Sequence, residues 1–161
     1  MRRYPLSKRE RKKLIEELAR LYPGLFIDKN VFIEILEDKS IGKLVIANGI
    51  PLVFSYGDKW ILHLKYLIKH GIPEGVSRVV VDMGAVKPLL KGADVMIPGI
   101  KSVIGEFKTG DPVVVVDEKY GKPFVVGIAL IDSDKIVTGA LKRGKAIENV
   151  HRVGDKFWNI V

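Results

Sequence analysis

The sequence has no cysteine among its 161 residues. Disulfides, thiolate metal sites and cysteine nucleophiles are thereby excluded. Histidine is scarce as well. His63, His70 and His151 lie far apart and lack metal-ligand spacing. No apolar stretch reaches eighteen residues without a charge, so no transmembrane helix is expected. The basic N-terminus lacks the apolar core of a signal peptide. A soluble, cytoplasmic protein that does not enter a membrane is the expectation. There is no internal repeat and no low-complexity segment. Asp132-Ser133-Asp134 resembles a fragment of a metal loop, but no further carboxylates follow at calcium-loop spacing. Gly139 to Lys145 is glycine-bounded and basic, yet no Ser or Thr follows the Gly-Lys pair as a phosphate-binding nucleotide loop requires. With no convergent set of reactive groups, the chain reads as a binding protein without enzymatic activity, cofactor or metal.

What is present is charge and β-branched bulk. The composition is 47% hydrophobic and 29% charged, that of a globular chain long enough for one ordinary domain or two small ones. Many Lys and Glu residues, abundant Ile and Val and the absent cysteine match a thermophilic bias. The net charge of +8 suits nucleic acid, an anionic membrane or a ribosomal surface, or serves solubility alone. It sits at the two ends. Residues 1–20 hold eight Lys or Arg against three Glu, and residues 78–161 hold thirteen against ten Asp or Glu. The segment between them is neutral.

Along the chain, Ser7-Lys8-Arg9-Glu10 forms a capping box. Leu14, Leu18 and Leu21 then recur at helical spacing until Pro23-Gly24. This predicts an amphipathic helix of about fourteen residues with a basic outer surface. Val31 to Leu36, Lys43 to Ala47 and Ile50 to Phe54 read as strands, with Asn48-Gly49 as a hairpin turn. Pro51 cannot donate to a ladder, which places its strand at an edge or starts it further on. Trp60 to Lys69 follows a 3.6-residue period and Gly71 stops it, predicting a helix with His63 and His70 partly exposed on it. Pro73-Glu74-Gly75 marks a seam, giving domains at 1–75 and 76–161. Strands dominate thereafter: Val79 to Val81, Asp94 to Met96, Pro112 to Val116, Phe124 to Leu130, Lys145 to Val150 and Lys156 to Ile160. The unbroken run Val113 to Val116 predicts a strand buried on both faces. The fold class is α+β, a small N-terminal α+β unit followed by a small closed or partly closed β-barrel.

The most specific stretch is Val81 to Ile100, in which strand, turn, short helix, glycine-ended loop and second strand share twenty residues. Asp82 is placed to cap the helix, and Pro88 is taken to lie within its first turn. Lys87 and Lys91 stand four apart on one helical face, a spacing suited to phosphates. Gly92 and Gly99 are either simple turn residues or places where a sugar–phosphate backbone comes close. Of Val95, Met96 and Ile97, two belong in the core and the third is free to face an unstacked base.

This stretch resembles the opening of a PUA domain, an RNA-binding module. With Leu21-Tyr22-Pro23-Gly24, Ile147-Glu148-Asn149-Val150-His151 and Trp158, nearly the whole chain resembles the malignant T-cell-amplified sequence family of translation factors and its archaeal relatives. The resemblance implies a PUA pseudo-barrel. It also implies RNA contact by the helix with Lys87 and Lys91, the loop Gly92-Ala93-Asp94, Met96 and Gly99. From the chain's end it adds Lys142 and Arg143 and, near the closing strand, His151 and Arg152. His151 either faces RNA or hydrogen-bonds inside the barrel. The CCA end of tRNA is the implied target. The small ribosomal subunit and a second translation-factor chain are implied partners of the N-terminal unit, and the basic helix start with Arg2, Arg3, Arg9, Arg11, Lys12 and Lys13 is either a surface for ribosomal RNA or a solubilising face. Two other readings stay open: an RNA-guiding accessory module for a tRNA or rRNA modification enzyme, and a protein-interaction scaffold working through the edge strand near Pro51 and the N-terminal helix.

Overall fold

The computed structural model describes residues 1–161 and contains two antiparallel-rich sheets packed on one another. The first is a meander of β1 (Arg2–Pro5), β2 (Ile33–Asp38), β3 (Gly42–Ala47), β4 (Ile50–Tyr56) and β5 (Lys59–Leu62), paired in that order. Helix α1 (Lys8–Leu21) covers it with Leu14 and Leu18. The capping box is formed, since Ser7 Oγ accepts from the Glu10 amide and the Glu10 carboxylate accepts from the Ser7 amide. Helix α2 (Leu64–His70) follows and ends at Gly71.

Beyond the seam come β6 (Arg78–Val81), α3 (Met83–Leu90), β7 (Val95–Met96), a 3₁₀ turn (Ile97–Gly99), β8 (Ile100–Ile104), β9 (Pro112–Asp117), β10 (Pro123–Ala129), α4 (Ser133–Val137), β11 (Lys145–Arg152) and α5 (Lys156–Asn159). The strands form a curled six-stranded sheet in the order β7-β11-β10-β9-β6-β8, in which β6 and β9 run parallel. Its valine-rich strands are buried on both faces, as the sequence predicts. Val113, Val115 and Val125 point into an inner cluster of 13 residues. Val114, Val116 and Val126 point the other way, into a cluster of 25 that also holds the N-terminal core. Period-two alternation therefore fuses the barrel wall to the first sheet. Phe54 of β4 stacks on Phe157 of α5 with ring centroids 4.0 Å apart.

Four local expectations are corrected. Pro51 lies in an inner strand, flanked by β3 and β5. It is tolerated opposite a register shift at Val45/Ile46, where the ladder is already irregular. The scaffold reading thereby loses its exposed strand. Trp60 to Leu62 are strand, because the turn at Gly57-Asp58 closes a β4–β5 hairpin, and the helix starts only at Leu64. Lys156 to Asn159 are helical, since Asp155 caps them by accepting from the Trp158 amide. Pro88 stands at the sixth residue of α3 rather than in its first turn. Strands β1 and β8 were not anticipated.

Candidate nucleic-acid interface

The candidate interface is built around α3. Asp82 starts the helix by accepting from the Ala85 amide, as its position suggests. At the other end the chain turns through Gly92, whose φ of +103° is a conformation L side chains rarely adopt. Asn149 of β11 holds this turn. Its Nδ2 donates to the carbonyls of Leu89 (2.9 Å) and Ala93 (2.8 Å), and its backbone amide donates to Asp94. The Leu89 carbonyl in the last turn of α3 and the Ala93 carbonyl of the bend are thus tied to the closing strand.

Between α3 and β7 lies a recess of about 180 Å³ lined by Ala85, Pro88, Leu89, Ala93, Val95, Met96 and others. Val95 and Ile97 are core, while Met96 is 45% exposed at the rim. Lys87 and Lys91 are exposed and form no ion pair. The bend is not bare. A β-carbon at position 92 would lie 3.2 Å from the guanidinium carbon of Arg152, so that cation rests on Gly92. Arg152 has no carboxylate partner of its own. Lys142 and Arg143 are exposed in the loop before β11, which the Ile97 amide fastens by donating to the Gly144 carbonyl. Lys91 and Arg152 thus stand at the Gly92 bend, Met96 lines the recess, and the loop holding Lys142 and Arg143 is fastened beside it through Gly144; Lys87 stands on α3 and is not among the residues lining the recess. Gly99 lies against Ala85.

Two of the expected contacts take structural roles instead. Asp94 accepts from the Asn149 amide and pairs with Lys145 at 3.1 Å, tying the bend to β11. His151 is fully buried. Its Nε2 accepts from the Leu64 amide, so its Nδ1–H points to Asp155, 3.0 Å away. His63 is buried too, not a partly exposed helix residue. Its Nδ1 accepts from the Lys65 amide, capping α2, and its Nε2–H donates to the Phe157 carbonyl. The two imidazoles lie 4.5 Å apart and bind the N-terminal unit to the barrel.

Burial, and then the neighbouring His151, push the His63 pKa down to about 3. Burial opposes the Asp155 charge, but the hydrogen bond from His151 and the amides of Arg152 and Trp158 outweigh it and hold that pKa low. The consequence for stability has a definite sign. The unfolded His63 binds a proton near pH 6.5 and the folded one does not. Its contribution is therefore complete above pH 6.5 and falls away as the pH drops toward 3, by about 1.4 kcal/mol per unit. Urea denaturation at pH 7.5 and 4.5 is expected to show a loss of roughly 3 kcal/mol from this group, and His63→Gln a visibly flatter pH dependence. Parallel curves for the two proteins would remove His63 from this role.

The N-terminal cations divide. Arg2 and Arg3 lie on β1 rather than at the helix start. Arg3 pairs with Glu34 at 3.0 Å, and Arg2 lies over the Tyr4 ring and 3.8 Å from Glu37. Arg11 donates to the Val31 carbonyl. Arg9, Lys12 and Lys13 remain exposed and unpaired on α1.

The barrel is matched by the family model of the PUA domain over residues 77–153, and residues 2–70 by a domain of unknown function, DUF1947. An uncharacterized protein of Methanocaldococcus jannaschii is 43% identical over 162 residues, spanning 98% of this chain and 96% of that protein. The chain belongs to this PUA-domain family. Translation machinery-associated protein 20 of Saccharomyces cerevisiae is 29% identical over 89% of this chain and 83% of its own. A crystal structure of a PUA domain from Aeropyrum pernix, a tartrate complex, superposes with a TM-score of 0.87 at 31% identity, covering 99% of this chain and 90% of that one. At family level this is an RNA-binding fold associated with translation. The PUA segment includes the whole α3 recess and Arg152. Asn149, which holds the recess in shape, was not singled out from the sequence. Only the fold shows which carbonyls it meets.

Proposed function

We propose that the protein binds RNA without catalysing a reaction and acts with the ribosome in the cytoplasm. The α3 recess takes a single-stranded RNA end, that of tRNA by preference. Lys87, Lys91, Arg152, Lys142 and Arg143 meet phosphates, Gly92 and Ala93 allow close approach, and Met96 faces a base. Arg9, Lys12 and Lys13 offer a second cationic surface to the small ribosomal subunit during initiation or recycling. The observation that carries this reading is the side-chain-free bend at Gly92 with the Arg152 guanidinium upon it and the exposed Lys91 next to it, beside an apolar recess. Unpaired cations attract phosphates, and the recess accepts an unstacked base.

Filter binding to tRNA with and without its CCA end tests it. Tighter binding to the complete tRNA is expected, with affinity falling roughly 100-fold between 50 and 200 mM salt if about five phosphates are neutralised. Equal, weak, salt-insensitive binding to both would count against the recess. Sucrose gradients then separate the alternatives. Cosedimentation with small subunits supports a translation role, and copurification with a modifying enzyme instead supports a guiding module.

A further inference from the structure

The opposite side of α3 carries a second feature that RNA binding does not use. A cleft of about 740 Å³ opens between α2, the first turns of α3 and the β9–β10 turn. Leu67 and Phe124 form its buried floor. At its rim Ile68, Met83 and Tyr120 are 52%, 40% and 65% exposed. Such a cluster of exposed apolar side chains beside an apolar hollow marks a contact surface.

Arg78 lines the same cleft. It sits on β6 between Val114 and Ile104, neither of which offers an acceptor. Its guanidinium forms no ion pair, and its Nε is sealed from solvent with no hydrogen-bond partner. The sealed Nε is out of a ligand's reach, but as a cation that lines the cleft without an ion pair Arg78 offers the terminal amino groups of its fork to a carboxylate. The acid within reach of the cleft, Asp117, is already engaged. It accepts from the amides of Tyr120 and Lys122 in its own turn. Lys122 adds an exposed positive charge at the rim.

We propose that this cleft docks a peptide segment of a partner protein that sets an apolar side chain between Ile68, Met83 and Phe124 and an adjacent carboxylate on Arg78. A peptide fits better than a nucleotide. The walls are largely aliphatic, and the one exposed aromatic, Tyr120, already has the Lys119 and Lys122 ammonium groups 5.2 and 6.0 Å from its ring centre. At about 740 Å³ the cleft has room for an apolar side chain together with its flanking backbone, the way a protein anchor seats in a pocket. Helix α3 separates the two sites. Met83 and Val86 face this cleft, while Ala85 and Leu89 face the RNA recess, so both can be filled together. The inference stands whether or not RNA is bound.

The full chain, fluorescently labelled, is applied to an array of random octapeptides. Bound peptides are expected to be enriched in Asp or Glu next to Leu, Ile, Phe or Met. Arg78→Gln and, separately, Lys122→Glu should weaken the best of them by roughly tenfold or more and several-fold. Lys122 is exposed, so its variant keeps the test intact should Arg78→Gln fail to fold. Amide shifts of Ile68, Gly71 and Gly121 on adding the best peptide would locate it. Absence of acidic enrichment, or enrichment unchanged by both substitutions, overturns the proposal. So does a single-stranded RNA octamer that shifts those amides when peptides do not.

Discussion

Replacing Phe54 by alanine is expected to destabilise the whole chain by about 3–5 kcal/mol and to unfold both units in one step. Phe54 is fully buried. It stacks on Phe157 and meets the His151 ring edge-on at 5.2 Å, so one side chain of the first sheet touches two elements of the barrel. Truncation opens a cavity at the joint itself. A domain of this size has only about 5–15 kcal/mol in hand, so the loss is a large fraction of it. Two native reporters read the result. Trp60 lies on β5 of the N-terminal unit and Trp158 on α5 beside the barrel. In single-tryptophan variants both fluorescence transitions should move to lower urea by the same amount, roughly 2 M. A Trp60 transition that moves while that of Trp158 stays would show two bodies folding separately and would dissolve the shared core.

That shared core explains which elements the sequence revealed. Helix α1 was legible to its ends, because a capping box and a proline–glycine stop are local signals. The valine run of β9 was legible because no polar face interrupted it. The segment from Trp60 was not. Ile61, Leu64 and Leu67 keep a helical period, but Leu62 and Val53 pair across a hairpin, and pairing with an existing sheet overrode the period. Pro51 misled for the same reason. The rule against proline inside a sheet assumes a regular ladder, and this ladder shifts opposite it. Strand β1 carries no pattern of its own and exists because β2 offers it an edge.

The site was legible where chemistry is local and opaque where it depends on distant partners. Lys87 and Lys91 on one face, an open Met96 and a glycine bend after Leu90 follow from spacing. His151 does not. Its neighbours in sequence give no hint that Leu64, 87 residues away, donates to its ring. Arg2 and Arg3 counted as free charge until β2 brought Glu37 and Glu34 beside them. The Arg152–Gly92 contact joins residues sixty apart. It makes the bend a cationic surface, which neither residue announces alone.

Reversing both Lys87 and Lys91 to glutamate is therefore expected to weaken tRNA binding about 100-fold at 50 mM salt, roughly tenfold for each lysine. Neither side chain supports the fold. Both are exposed and unpaired, so melting curves should scarcely change. The salt dependence carries a second signature. Two lost phosphate contacts should flatten the slope of log K against log salt by about 1.4. Lys39→Glu with Lys43→Glu is the matched control, exposed at the β2–β3 hairpin and changing the net charge equally. It should weaken binding only a few-fold, through the long-range field that salt screens. If the two double variants fall equally, RNA senses only the +8 of the whole chain and the α3 recess is not where it lands. If only the α3 pair falls, with a shallower slope, the phosphates are fixed within reach of that helix, and the bend under Arg152 is the place left for the strand to pass.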